Sequence, residues 1–192
     1  MSTIRCTWVE DRPELFPYHD LVWGRPTWDD QVIFAALGQC ILHAGLLWTA
    51  LLKKRADFAA AFDGWDVRRI AAYDDSDMAR LLEDPRVIRN TQKLSAILHD
   101  AGCYLAIQAE FGSFGSYIWS YADQPLDSSD PQARVLSERL SRDLKAKDFK
   151  FTGPATCYGL MQDIGLILVH DSHCHSGQDI MGDWQTGMGK SP

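Results

Sequence analysis

Residues 31–52 read QVIFAALGQCILHAGLLWTALL, twenty-two positions without a formal charge. That is about the length at which one helix spans a bilayer. The stretch nevertheless carries Gln31, Gln39, His43, Thr49 and two glycines, and it stands alone in a chain with enough other apolar residues to enclose it. Gly38, Cys40, Ile41, Ala44, Gly45 and Trp48 recur at helical spacing. It is therefore read as a buried core helix of an all-α domain, entered through Asp29 and Asp30, acids suited to a helix N-terminus.

The flanking sequence agrees with that class. The first thirty residues are aromatic and punctuated by proline, with room only for short helical turns. KKRADFAAAFDGWDVRRIAAY predicts a helix to about Phe62, a stop at Gly64 and a short further helix. DSDMARLLED opens another, with Ser76 or Asp75 as its cap. Pro85 interrupts it, and VIRNTQKLSAILHDAGCYLAIQAEFG continues as a long helix. GSYIWSYA is one more short piece, DQPLDSSDPQA a surface loop, and RVLSERLSRDLKAKDF an amphipathic helix. GPATCYGLMQDIGLILVHDSHCH reads as a final buried helix. Alternating strand patterns of any length are missing. Residues 1–176 form one domain, and the Gly-rich end, 177–192, is expected to be a flexible tail.

The 192 residues are 46% hydrophobic and 23% charged, which suits one domain with a sizeable core and excludes a disordered chain. A net charge of −7 argues against an extended basic coat for nucleic acid, though not against a local site. Five irregularly spaced cysteines do not read as a disulfide framework. With no secretory or lipidation pattern at the start, a reducing, cytoplasmic setting is expected.

Cys6 and His19 stand near the N-terminus, and about 150 residues later His170 and Cys174 form an H-x3-C pair. Thiolate and imidazole suit tetrahedral Zn2+. From spacing alone, a structural histidine and buried free thiols are the favoured reading. His173 and His175, which flank Cys174, leave open which imidazoles would bind.

Several longer motifs carry a resemblance. RCTW, YHDLVWGRP, AGLLW, LLKKRADFAAAFDGWD, DPRVIRNTQKLSAIL, FGSFGSYIW and LSRDLKAKDFKFTGPATCYGLMQDIG occur in this order between Cys6 and Cys174. Together the chain resembles the DNA-3-methyladenine glycosylase I family, helix-hairpin-helix enzymes that excise alkylated adenine. The resemblance implies a structural zinc on Cys6, His19, His170 and Cys174. It implies a base pocket with Tyr18 and Trp48, with Trp8 and Trp23 near it, because a flipped methylated purine is a flat cation suited to stacking and cation–π contact. Read without the resemblance, these aromatics are core, Trp8 above all. It also implies a hairpin over Met78–Leu98, turning near Pro85–Arg89, in which Arg86, Arg89, Asn90 and Lys93 contact the DNA backbone. An ordinary solvated helix face is the competing reading.

The chain departs from the family pattern L-E-G-x-Q-A-G-L-S-W at its polar positions. Cys40 stands where a base-recognising Glu is expected, His43 replaces Gln, and Leu47 replaces Ser. Val22 replaces the Glu of an E-W-G motif, and Leu168-Val169 replaces an N-D pair. A neutral thiol is a weak donor and acceptor, so a charge-assisted bond worth ~1.5–3 kcal/mol is lost. His43 is a candidate substitute; a pocket drifted toward apolar is the other reading. The resemblance thus implies a monofunctional N-glycosylase, acting as a monomer on alkylated purines in double-stranded DNA, without a Schiff-base lysine. The alternatives are a non-catalytic or retargeted DNA-binding relative, because of Cys40, and a helical protein that binds a small molecule in the same aromatic pocket.

Overall fold

A computed structural model describes residues 4–43, 45 and 47–186. Two 3-10 turns, Thr7–Val9 and Pro13–Leu15, lead into α1 (Phe16–Leu21). The quoted stretch then forms α2 (Asp30–His43) and α3 (Trp48–Leu52) rather than one helix. Gly45 adopts φ 85°, a backbone conformation that ends a right-handed helix. Ala44 of the expected helical series lies outside the described residues. Among the described residues no helix is long and apolar enough to cross a membrane.

α2 is the centre of the molecule. Asp29 Oδ1 accepts from the backbone N–H groups of Gln31 and Val32 at 2.9 and 3.0 Å, capping it. Asp30 turns the other way and accepts from the N–H groups of Phe114 and Gly115, at 3.1 and 2.8 Å. Ile33, Phe34, Leu37, Cys40, Ile41 and Leu42 are buried along α2. Around it run α4 (Arg55–Ala61), a 3-10 turn at Asp63–Trp65, α5 (Val67–Ala71), α6 (Asp75–Glu83), α7 (Thr91–Phe111) and α8 (Phe114–Trp119). The cap of α6 is Asp74 rather than Ser76 or Asp75. Its carboxylate accepts from the N–H groups of Ser76 and Asp77, and Asp77 bonds back to the Asp74 N–H, a reciprocal capping box.

The amphipathic segment is α9 (Pro131–Ala146), which packs on α10 (Pro154–Asp163). The expected final helix stops there, because Gly165 takes φ 77°. The next residues, β2 (Ile167–Leu168), pair in parallel with β1 (Leu126–Asp127), inside the segment read as a loop. His170 and Cys174 consequently lie on a turn and not on a helical face. The chain then re-enters α11 (His175–Thr186), with Ile180 1% exposed. The tail expected from 177 onward is thus helical to Thr186; residues 187–192 lie outside the described residues.

Candidate functional site

Where α2 ends and α3 and α10 begin, a cavity of about 590 Å³ opens. Trp23, Cys40, His43, Trp48, Tyr158 and Asp163 are among its lining residues. The break at Gly45 places Trp48 beside His43 instead of one turn beyond it, with the rings edge-on at 5.1 Å. Cys40 comes from the buried face of α2. Burial pushes its thiol well above the usual range, so it is a neutral group.

Opposite Cys40 stands a residue that sequence reading missed. Asp163 ends α10, with Oδ2 3.7 Å from the Cys40 sulfur, and Tyr18 donates its hydroxyl to Oδ1 at 3.4 Å. Tyr18 itself lines an adjoining cavity with Val22, Arg55 and Asp163, and its ring lies under the Arg55 guanidinium at 4.5 Å. It reaches the first cavity through Asp163. The signal was in the sequence: Asp163 is the one formal charge between Tyr158 and Val169. Leu47 and Leu168, expected to make the pocket more apolar, do not line it. Leu47 is 78% exposed and Leu168 belongs to β2 on another face. Trp8 is packing, edge-on to Trp23 at 5.0 Å and outside the cavity lining.

Behind Trp23 the chain ends meet. The ligand atoms of Cys6, His19, His170 and Cys174 lie within 4.8 Å of one another. His170 Nδ1 is 3.4 Å from Cys6 Sγ and 3.5 Å from Cys174 Sγ, and His19 Nε2 is 3.5 Å from Cys174 Sγ. A tetrahedral Zn2+ with bonds of about 2.3 Å to sulfur and about 2.0 Å to nitrogen needs sulfur–nitrogen edges of about 3.5 Å, so this donor set fits the ion. The outer nitrogens agree. His170 Nε2 faces the Trp23 carbonyl at 3.1 Å, which only accepts, so Nδ1 carries the lone pair toward the thiols. His19 Nδ1 faces the Asp20 carboxylate at 2.7 Å, and Arg5 forks onto that carboxylate in turn. His175 is turned to the Ile4 carbonyl and His173 is exposed, so neither joins the group.

The hairpin predicted over 78–98 is α6, residues 84–90 and the start of α7. Arg86 and Arg89 are exposed on it, Arg86 in an ion pair with Asp84 at 2.7 Å. Two of the residues expected at the DNA backbone have partners within the protein. Lys93 is 7% exposed and donates Nζ to the Leu42 carbonyl at 2.9 Å, placing its charge at the C-terminal end of α2. The Asn90 side chain caps α7 by accepting from the Lys93 N–H at 3.1 Å.

The family model for methyladenine glycosylase matches residues 8–177. The chain belongs to this family. A DNA-3-methyladenine glycosylase from Haemophilus influenzae is 35% identical over 179 residues, covering 90% of this chain and 97% of that protein. A crystal structure of 3-methyladenine DNA glycosylase I is similar with a TM-score of 0.83 at 36% identity, covering 90% and 98% of the two chains. A tyrosine-to-phenylalanine variant of such an enzyme, in complex with 3-methyladenine, gives 0.82 at 33% identity over 90% and 97%. Within this family member the fold brings the four Cys/His residues together and sets Trp23 and Trp48 on one cavity, with Tyr18 on the adjoining one, while the acid in the cavity comes from α10.

Proposed function

We propose that this protein is a base-excision repair enzyme, a monofunctional DNA glycosylase that hydrolyses the N-glycosidic bond of alkylated purines, 3-methyladenine foremost. The observation that carries the reading is the cavity walled by Trp23, His43 and Trp48 in a chain that matches 3-methyladenine glycosylases over nine-tenths of its length. An alkylated purine is flat and positively charged, and aromatic faces hold such a ring better than its neutral parent. Alkylation already weakens the glycosidic bond, so the protein's task is to extrude, orient and bind the base while water attacks the anomeric carbon. Among the described residues no lysine lines the cavity, in keeping with hydrolysis without a Schiff base or lyase step.

The DNA is double-stranded, and Arg86 and Arg89 at the hairpin neutralise its backbone. Few such contacts in an acidic protein mean weak binding with a shallow salt dependence. Cys6, His19, His170 and Cys174 hold a structural zinc. Four protein ligands leave no position for an activated water, so the ion serves to join the two ends of the chain and to support Trp23. The protein works as a cytoplasmic monomer.

The test is release of free bases from methylated duplex DNA. Wild-type protein should liberate 3-methyladenine, and Trp48→Ala should lower kcat/KM by about five- to 150-fold, the value of ~1–3 kcal/mol for one stacked base. No base released by the wild type would overturn the reading.

A further inference from the structure

Asp163 is the one acid among the described residues lining the cavity. It is an odd place for one. The residue closes α10, where the helix dipole disfavours a negative charge, and the carboxyl is drawn out of water beside apolar walls. Its neighbours, however, are arranged for a carboxylate. The Tyr18 hydroxyl from α1 donates to one oxygen and the Cys40 thiol from α2 faces the other. Arg55 from α4 adds a positive charge behind the Tyr18 ring. A carboxylate oxygen can accept more than one hydrogen bond, and Asp163 lines the cavity together with Trp48, Trp23 and His43.

We propose that Asp163 is the base-recognising group of this protein, accepting hydrogen bonds from the amino edge of the extruded purine and balancing its positive charge. The proposal rests on the glycosylase reading above. An alkylated adenine presents an exocyclic amine and a delocalised cation, and an aspartate at the edge of an aromatic cavity meets both needs. The acid stands across from position 40, so the negative charge enters the same space from α10 instead of α2. Burial pushes the Asp163 carboxyl up to about 7, against the pull of Arg55 and the bonds from Cys40 and Tyr18. A cationic base favours the ionised form, so binding strengthens as pH rises through that value. A glutamate at position 40 alone would set a second acid against the first, since Cys40 Sγ is already 3.7 Å from Asp163 Oδ2, and is expected to lower activity rather than raise it.

The experiment measures excision of 3-methyladenine from methylated duplex DNA, and fluorescence titration with free 3-methyladenine. Its variants are Asp163→Asn, Asp163→Ala, and the exchange Cys40→Glu with Asp163→Ala. Asp163→Asn should lower kcat/KM and the affinity for the free base by about tenfold or more, with the melting temperature kept. It should also remove the rise in kcat/KM between about pH 6 and about pH 8. His43 also lines the cavity, and His43→Gln should retain that rise. The exchange variant should recover about tenfold over Asp163→Ala. Unchanged kcat/KM and pH profile in Asp163→Asn overturn the proposal and leave the glycosylase reading standing. If the wild type releases no base, the glycosylase reading falls, and affinity for free 3-methyladenine then decides the proposal by itself. Should Asp163→Asn fail to fold, no recovery in the exchange variant overturns it.

Discussion

Two aspartates with raised carboxyls show how one residue type takes opposite roles. Asp163 faces a cavity, whereas Asp100 on α7 is wholly enclosed. Lys150 donates its backbone N–H to Asp100 Oδ1 at 2.8 Å, and Oδ2 is buried with no hydrogen-bond partner. Burial pushes this carboxyl up to about 7 from its ordinary 3.8. Between those values the folded chain holds a proton that the unfolded chain has released, so stability falls as pH rises from about 4 to about 7, by up to ~1.4 kcal/mol per pH unit. Asp100→Asn keeps the acceptor for Lys150 and removes the charge. Its urea midpoint should vary less across that window than the wild type's, and should exceed it at pH 8 or so. An identical pH dependence in both proteins would show that Asp100 is not the group responsible. For Asp163, the legible part was its charge in an apolar run, while its facing Cys40, 123 residues earlier, was not.

At the scale of elements, the two longest apolar runs were read as single helices, and each is broken by a glycine with positive φ. Apolar periodicity continues through both breaks because the residues beyond them, Leu51 after Gly45 and Ile167 after Gly165, remain buried in the same core. Periodicity reports burial, and burial does not require an unbroken helix. At Gly165 two constraints coincide. Its φ is 77°, and an added Cβ would lie 2.5 Å from the Pro26 backbone nitrogen. Gly165→Ala should therefore cost about 2–4 kcal/mol, combining left-handed strain with overpacking. Because this turn lies two residues after Asp163, base binding should weaken along with the denaturation midpoint. A loss under about 1 kcal/mol would show that the turn relaxes without strain.

Across the whole molecule, the Cys/His cluster joins residues 6 and 19 to 170 and 174, and through Trp23 it forms part of the cavity wall. Metal held there links stability to the site. Purified protein should contain about one zinc per chain, and stripping it, or Cys6→Ser with Cys174→Ser, should lower the melting temperature by about 10 °C. The tryptophan fluorescence response to 3-methyladenine should weaken in parallel. Protein without zinc by elemental analysis would remove the metal reading.

The sequence by itself determined the mostly helical class, the central place of residues 31–43 and the hairpin segment over Met78–Leu98, because helical periodicity and long ordered motifs are properties of neighbouring residues. Only the tertiary structure decided where polar groups point. Lys93 reads as an exposed cation in its own helix and is buried because α2 ends against it, with the Leu42 carbonyl 2.9 Å away. Cys40 reads as a pocket that lost its acid, until α10 brings Asp163 across from it. Whether a charge is solvated, paired or aimed into a cavity depends on elements far away in the chain, and distances of that kind are set by packing.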